Sequence, residues 1–228
     1  MTSAKTVVFD LDGTLVDTAP DLINALNFVL EREGMPPVPL HAARNMIGAG
    51  ARKLIERGLE LDGRLIGPQD LARLTSDFID HYANHIADLS RPFEGLESAL
   101  DDLQNLGYRF AVCTNKLEWL SKLLLDRLGL SARFAAICGA DTFGVSKPDP
   151  AILRETVARA GGQLSSTVMV GDAGPDVGVA RRAGVPVIGV GFGYTDVPIA
   201  ELKPDRLIDH MRELPAAVEA LMLQRNST

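Results

Sequence analysis

The chain has 228 residues, 46% hydrophobic and 23% charged, with a formal net charge of −7 and a pI near 5.1. That balance describes a globular protein with ample core, in one large domain or a main domain carrying a smaller insert. No block of Lys and Arg and no apolar run near ~20 residues occurs, which excludes an electrostatic grip on nucleic acid, binding to an anionic membrane and a membrane-spanning helix.

The first segment, "MTSAKTVVFD", lacks the apolar region of a signal peptide, so a cytoplasmic protein is expected. The first predicted strand is "TVVFDLD" (6–12), which places Asp10 and Asp12 one residue apart and sends both side chains to the same face. From about Pro20 to Asp88 only helical periodicity is found, in "PDLINALNFVLEREG", "ARKLIERGLEL" and "PQDLARLTSDFIDHYANHIADL". This stretch is too long for a loop and reads as a small helical domain inserted after the first strand, with hinges near 15–19 and 89–93. Within it His81 and His85 stand at i, i+4, but no third ligand is evident and they are read as packing residues.

Beyond the insert, apolar runs alternate with amphipathic helical patterns. The runs are "RFAVCTN" (109–115), "AAICGAD" (135–141), "TVMVGD" (167–172), "VPVIGVGF" (185–192) and the weaker "DRLID" (205–209). Near-continuous hydrophobicity marks strands buried on both faces, so the expected fold is a doubly wound, mostly parallel α/β sheet with a Rossmann-like core. Its core domain is expected over 1–15 and 92–228 and its helical cap domain over 16–91. Cys113 and Cys138 lie inside strands and read as small buried residues rather than a disulfide pair. Trp119, on a Leu-rich helix, reads as core against the sheet, and the last residues, "QRNST", as frayed.

Ligands in open α/β sheets bind outside the carboxyl ends of the strands. The polar residues gather at those ends: Asp10, Asp12 and Thr14; Thr114 and Asn115; Asp172 and, one helical turn on, Asp176; with Lys147 in "SKPDP" between them. Several carboxylates at one point do not all ionise without compensating cations. Asp10 and Asp172 suit a hard divalent ion, Mg²⁺ being the natural choice beside phosphate oxygens, and Lys147 adds a second positive charge. Such a set makes a cradle for a phosphoryl group, with one of the paired aspartates as nucleophile and the other as proton donor and acceptor.

The motifs "DLDGT", "CTNK", "SKPDP" and "GDAGPD", in this order, resemble those of the haloacid dehalogenase superfamily, Mg²⁺-dependent phosphohydrolases that work through an aspartyl phosphate. The resemblance covers roughly Thr6 to Leu221. It implies Asp10 as nucleophile and Asp12 as acid and base whose backbone carbonyl also ligates Mg²⁺, with Thr14 orienting Asp12. It further implies Thr114 and Asn115 on phosphoryl oxygens and Lys147 offsetting charge on nucleophile and phosphate. Asp172 is then the remaining metal carboxylate, and Asp176 holds metal waters or Lys147. Ala173 departs from the pattern, where relatives often carry a polar residue.

Further stretches, "NMIGAGARKLIERGL", "TNK", "GFGYTD" and "PDRLIDHMREL", resemble the bacterial phosphoglycolate phosphatase family within that superfamily. The implied substrate is a small phosphorylated metabolite, 2-phosphoglycolate, with the enzyme a monomer or homodimer. Gly48 and Gly50 would let backbone approach the substrate carboxylate, and Arg44, Arg52 and Lys116 would offer it charge. The alternatives are a sugar-phosphate phosphatase or a phosphomutase on the same frame, or a non-catalytic phosphate-sensing protein. Dehalogenation is disfavoured because it needs neither the second acid nor Mg²⁺.

Overall fold

The computed structural model describes residues 4–226. β1 (Ala4–Phe9) is followed by a tight turn and the two-residue strand β2 (Val16–Asp17). Four helices come next, α1 (Ala19–Arg32), α2 (Leu40–Ala43), α3 (Ala51–Leu61) and α4 (Pro68–Asn84), and β3 (Arg91–Pro92) closes the excursion by pairing antiparallel with β2. The rest alternates: α5 (Leu96–Asn105), β4 (Arg109–Cys113), α6 (Glu118–Arg127), β5 (Phe134–Cys138), α7 (Pro150–Arg159), β6 (Gly162–Gly171), α8 (Gly174–Ala183), β7 (Val187–Val190), β8 (Arg206–Ile208) and α9 (Leu214–Asn226).

Six strands form one sheet in the order β5-β4-β1-β6-β7-β8, every neighbouring pair parallel. The chain moves outward from β1 through β4 to β5, then returns to the other side of β1 with β6, so the order reverses at β1. That reversal opens a crevice at the carboxyl end of β1, where open α/β sheets take ligands. Alternate strand residues serve two apolar layers. Val7, Phe9, Phe110, Val112, Val168 and Val170 pack with α5, α6 and α9. Val8, Ala111, Cys113 and Met169 pack with α7 and α8. With both faces covered, the runs have no polar alternation to show, which is why they read as continuous.

The expected doubly wound sheet is what forms, with shifted boundaries. β1 stops at Phe9, so Asp10 and Asp12 lie in the turn after it rather than in the strand. Leu15 and Val16 both donate backbone N–H to Leu11 O, and Gly13 N–H donates to Val16 O. Gly13 sits at φ +83°, and a Cβ there would come 2.4 Å from Asp172 Oδ2, so both the turn and the neighbouring carboxylate require glycine. The β2–β3 ribbon was not anticipated: two residues per strand are too short to register as a pattern. It sits where hinges were expected.

The helical insert is fastened by Asp21 of α1. Its buried carboxylate accepts N–H of Leu89 and Ser90 and the Ser90 hydroxyl, tying the first turn of the insert to its exit. α4 ends at Asn84, short of the expected Leu89. His81 stacks on Phe28 at 3.8 Å, in keeping with packing, whereas His85 is exposed and bonds Asp88. Trp119 corrects its expectation: it is 46% exposed at the start of α6 rather than core. α9 continues helical to Asn226, so the expected fraying does not begin at Gln224; residues 227–228 lie outside the described residues. Cys113 and Cys138 are neighbours in register across β4 and β5, buried and unbonded to each other.

Candidate active site

The carboxyl ends of β1, β4 and β6 bring Asp10, Thr114, Asn115 and Asp172 together, and the loop before α7 adds Lys147. Asp10, Asp172 and Asp176 are buried, with a carboxylate oxygen from each within 4.8 Å of the others. Lys147 Nζ lies 2.8 Å from Asp10 Oδ1 and 2.6 Å from Asp176 Oδ1. Leu11 N–H donates to Asp10 Oδ1 as well, at 2.7 Å. Asp10 Oδ2 has no hydrogen-bond partner among the described residues and is left available. Asp176 Oδ2 accepts N–H of Asp172 and Ala173 at the start of α8.

One buried lysine does not neutralise three buried carboxylates. Burial, opposed by Lys147, raises Asp10 to about 6. Burial first, then Asp176 and Asp10, pushes Asp172 well above the carboxylate range. Lys147 is also buried, which works against its charge, but Asp10 and Asp176 more than offset this and raise its pKa. The cluster therefore has the composition of a site for a hard divalent cation: oxygen donors, excess negative charge and close spacing. Asp172 accepts Thr14 Oγ1 on Oδ1 (2.9 Å) and Tyr194 N–H on Oδ2 (2.6 Å), which fixes the group and leaves each oxygen a further lone pair. The donor set fits such a cation.

Several expected contacts are rearranged. Thr14 does not orient Asp12, because its hydroxyl reaches Asp172. Thr18, at the start of α1, donates to Asp12 Oδ1 at 2.8 Å instead. Asp12 is also paired with Lys116 Nζ at 2.7 and 2.9 Å, and its carboxylate is not part of the acidic cluster. Asn115 is committed to structure: its Oδ1 accepts Lys147 N–H (2.9 Å) and its Nδ2 donates to Lys147 O and to Gly48 O of the insert (3.4 Å each). Thr114 is buried, and its hydroxyl accepts Lys116 N–H at 3.3 Å.

A cavity of about 250 Å³ lies between this sheet edge and the insert, lined by Asp10, Asp12, Thr114, Asn115 and Lys116 from below and by 47–52 and α4 from above. That is below the ~300–1,000 Å³ usual for drug-sized ligands and suits a small one. Gly48 and Gly50 line it at φ +105° and +87°. A Cβ at Gly48 would meet no protein atom within 4 Å, so within the protein it is the backbone conformation that favours glycine there. Arg52 lines the rim but is 68% exposed in its side chain and pairs with Glu56. Arg44 does not line the cavity; it pairs with Asp17 at 2.7 Å.

Sequence reasoning missed Tyr82, Thr18 and Tyr194. Tyr82 lines the cavity beneath Lys116, whose Nζ stands 4.7 Å from the ring centre, and its buried hydroxyl has no partner among the described residues. It shares a helix face with Leu74 and Phe78 and so reads as core from spacing alone. Thr18 precedes a helix and reads as an ordinary cap.

A parallel doubly wound sheet with a buried acidic cluster at its switch point defines an α/β protein with a candidate cation site at that point. The sequence matches the haloacid dehalogenase-like hydrolase family over residues 7–190, and the chain belongs to that family. It is 46% identical over 220 residues to a phosphoglycolate phosphatase of Caulobacter vibrioides, covering 96% of this chain and 93% of that protein. It is 45% identical over 216 residues to one of Agrobacterium fabrum, covering 94% and 93%. The crystal structure of a "predicted phosphoglycolate phosphatase" from Haemophilus somnus superposes with a TM-score of 0.86 at 27% identity, over 95% of this chain and 99% of that one. The protein is thus a hydrolase resembling phosphoglycolate phosphatases. Among the described residues no helix is long and apolar enough to cross a membrane.

Proposed function

We propose that this protein is a Mg²⁺-dependent phosphomonoesterase of the cytoplasm that hydrolyses 2-phosphoglycolate to glycolate and phosphate. The observation that carries the reading is the buried Asp10–Asp172–Asp176 cluster paired with Lys147, whose Asp10 lines a small cavity. The names of its relatives point to the substrate. Residues 1–15 and 92–228 form the catalytic core in this reading, and 16–91 the cap that closes over it.

Asp10 Oδ2 attacks phosphorus, forming an aspartyl phosphate as the bond to the glycolate oxygen breaks. Asp12 gives that oxygen its proton, then takes one from the water that attacks the aspartyl phosphate, which releases phosphate and restores Asp10. Asp10, Asp172 and the backbone carbonyl of Asp12 would hold Mg²⁺, with Asp176 anchoring Lys147 beside it. When bound, Mg²⁺ supplies Lewis-acid stabilisation of phosphoryl charge. Lys147 offsets charge on Asp10 and the phosphoryl group, while Thr114 donates to a phosphoryl oxygen. Lys116, buried beside Asp12, is the cation best placed for the substrate carboxylate, and the Gly48–Gly50 backbone faces it across the cavity. The apolar walls from Ile47, Phe78 and Leu117 exclude water around the labile intermediate.

The test is phosphate release from 2-phosphoglycolate in Mg²⁺ and in excess EDTA, for wild type and Asp10→Asn. Turnover should require Mg²⁺ and vanish in the folded Asp10→Asn protein. Full turnover in EDTA, or by Asp10→Asn, overturns the reading.

A further inference from the structure

Asp172 is held from two directions, and one of the two holders is itself anchored far from the cluster. The N–H of Tyr194 that donates to Asp172 Oδ2 belongs to the loop after β7. At the other end of the Tyr194 side chain, the hydroxyl donates to Asp17 Oδ1 in β2 and accepts the N–H of Ala19, the first residue of α1, at 3.1 Å. Asp17 Oδ2 pairs with Arg44 of the helical insert at 2.7 Å. The Arg44 guanidinium also lies 5.2 Å from the Tyr194 ring centre. Contacts therefore run without a break from the insert to a carboxylate of the cluster: Arg44, Asp17, Tyr194, Asp172.

We infer that Tyr194 is a positioning residue for Asp172 as a cation ligand, and that Arg44 and Asp17 act on the site through it. The inference rests on the proposed reading of the acidic cluster as a divalent-cation site. The loop carrying Tyr194 has no regular structure to fix its backbone; Tyr194 instead is fully buried and bonded at both ends. A carboxylate caught by a fixed N–H keeps one rotamer, so a cation finds the ligand already ordered. Gly13 and Gly193 pack so closely on Asp172 that a Cβ at either would come within 2.4 Å and 2.2 Å of its atoms, leaving the loop's position as the main freedom. Freeing the tyrosine hydroxyl frees the loop, and the cation must then order Asp172 itself. Groups in this outer role change metal affinity by about 10–100-fold when removed. Because Arg44 belongs to the insert, the insert's placement and cation affinity become linked, each favouring the other.

The test is Mg²⁺ binding to the metal-stripped full chain by isothermal titration calorimetry, without substrate. Tyr194→Phe keeps the ring and the N–H to Asp172 and deletes only the anchored hydroxyl. Its Kd for Mg²⁺ should rise about 10-fold or more, and that of Arg44→Ala roughly 2- to 10-fold. The double variant should be no weaker than Tyr194→Phe alone, since the arginine acts through the hydroxyl. A merely structural role would lower the melting temperature and leave Kd unmoved. An unchanged Kd in folded Tyr194→Phe overturns the inference while the cation site stands; effects that multiply in the double variant overturn the part given to Arg44. A wild type that binds no Mg²⁺ removes the cation site and the inference together. Should Tyr194→Phe not fold, Asp17→Asn replaces it: it must weaken binding as Arg44→Ala does, without adding to it.

Discussion

Asp10 and Tyr82 carry opposite kinds of unfinished business. Asp10 is a buried carboxyl raised to about 6, chiefly by burial, against an ordinary 3.8. The folded chain therefore keeps this proton through a window in which the unfolded chain has released it. In that window the native state binds more protons, so the stability of the metal-free protein falls as pH rises from about 4 to 6. Asp172, shifted the same way, adds to the trend. A cation that takes the place of these protons reverses the loss, so Mg²⁺ should raise the melting temperature much more at pH 7 than at pH 4.5. Thermal melts in EDTA and in Mg²⁺ at the two pH values check this; an equal Mg²⁺ effect at both contradicts it. Tyr82 instead carries a buried hydroxyl without a partner among the described residues. Deleting an unsatisfied group relieves a cost, so Tyr82→Phe should leave unfolding free energy unchanged or raise it by about 1 kcal/mol in urea titration. A loss above that would mean the hydroxyl has a partner in solution.

At the scale of elements, the insert is joined to the sheet by short devices rather than by a large shared strand. The Asp21 carboxylate satisfies two backbone donors and a hydroxyl at the exit of the insert. Asp21→Ala leaves those buried groups unpaired and should cost roughly 2–4 kcal/mol, read from the denaturation midpoint. Asp21→Ser, which retains an acceptor, should recover part of it. The loop before α3 behaves differently. Gly48 has open space around it but a left-handed backbone, so Gly48→Val strains the loop by about 1–3 kcal/mol instead of filling the cavity. The Asn115 bond to Gly48 O transmits that shift to the cavity wall. The ratio of kcat/KM for phosphoglycolate to that for an aryl phosphate should fall in this variant. An unchanged ratio would take substrate selection away from this loop.

Across the whole molecule, the strand runs, the alternation of strand and helix, the long helical stretch between the first strand and Pro92, and the order of the four motifs were legible because each depends on local pattern. Apolar runs of a buried parallel strand and the period of an amphipathic helix are written in neighbouring residues. The topology that gathers Asp10, Thr114, Lys147 and Asp172 follows from the connection rules of parallel sheets, so the composition of the cluster was readable in advance. Hydrogen-bond partners were not. Asp12 sits between Thr18 and Lys116 rather than on Thr14, Asn115 braces Lys147 and Gly48, and Arg44 meets Asp17 and Tyr194. Each of these choices is a competition among donors separated by tens of residues, decided by distances of an ångström once helices and sheet have packed. The exposure of Trp119 and the unpartnered hydroxyl of Tyr82 belong to the same category. Sequence by itself determined the class of chemistry this protein is built for, since that depends on which residue types stand at strand ends. Only the tertiary structure decided which side chain holds which, because a hydrogen bond is awarded by position and not by type.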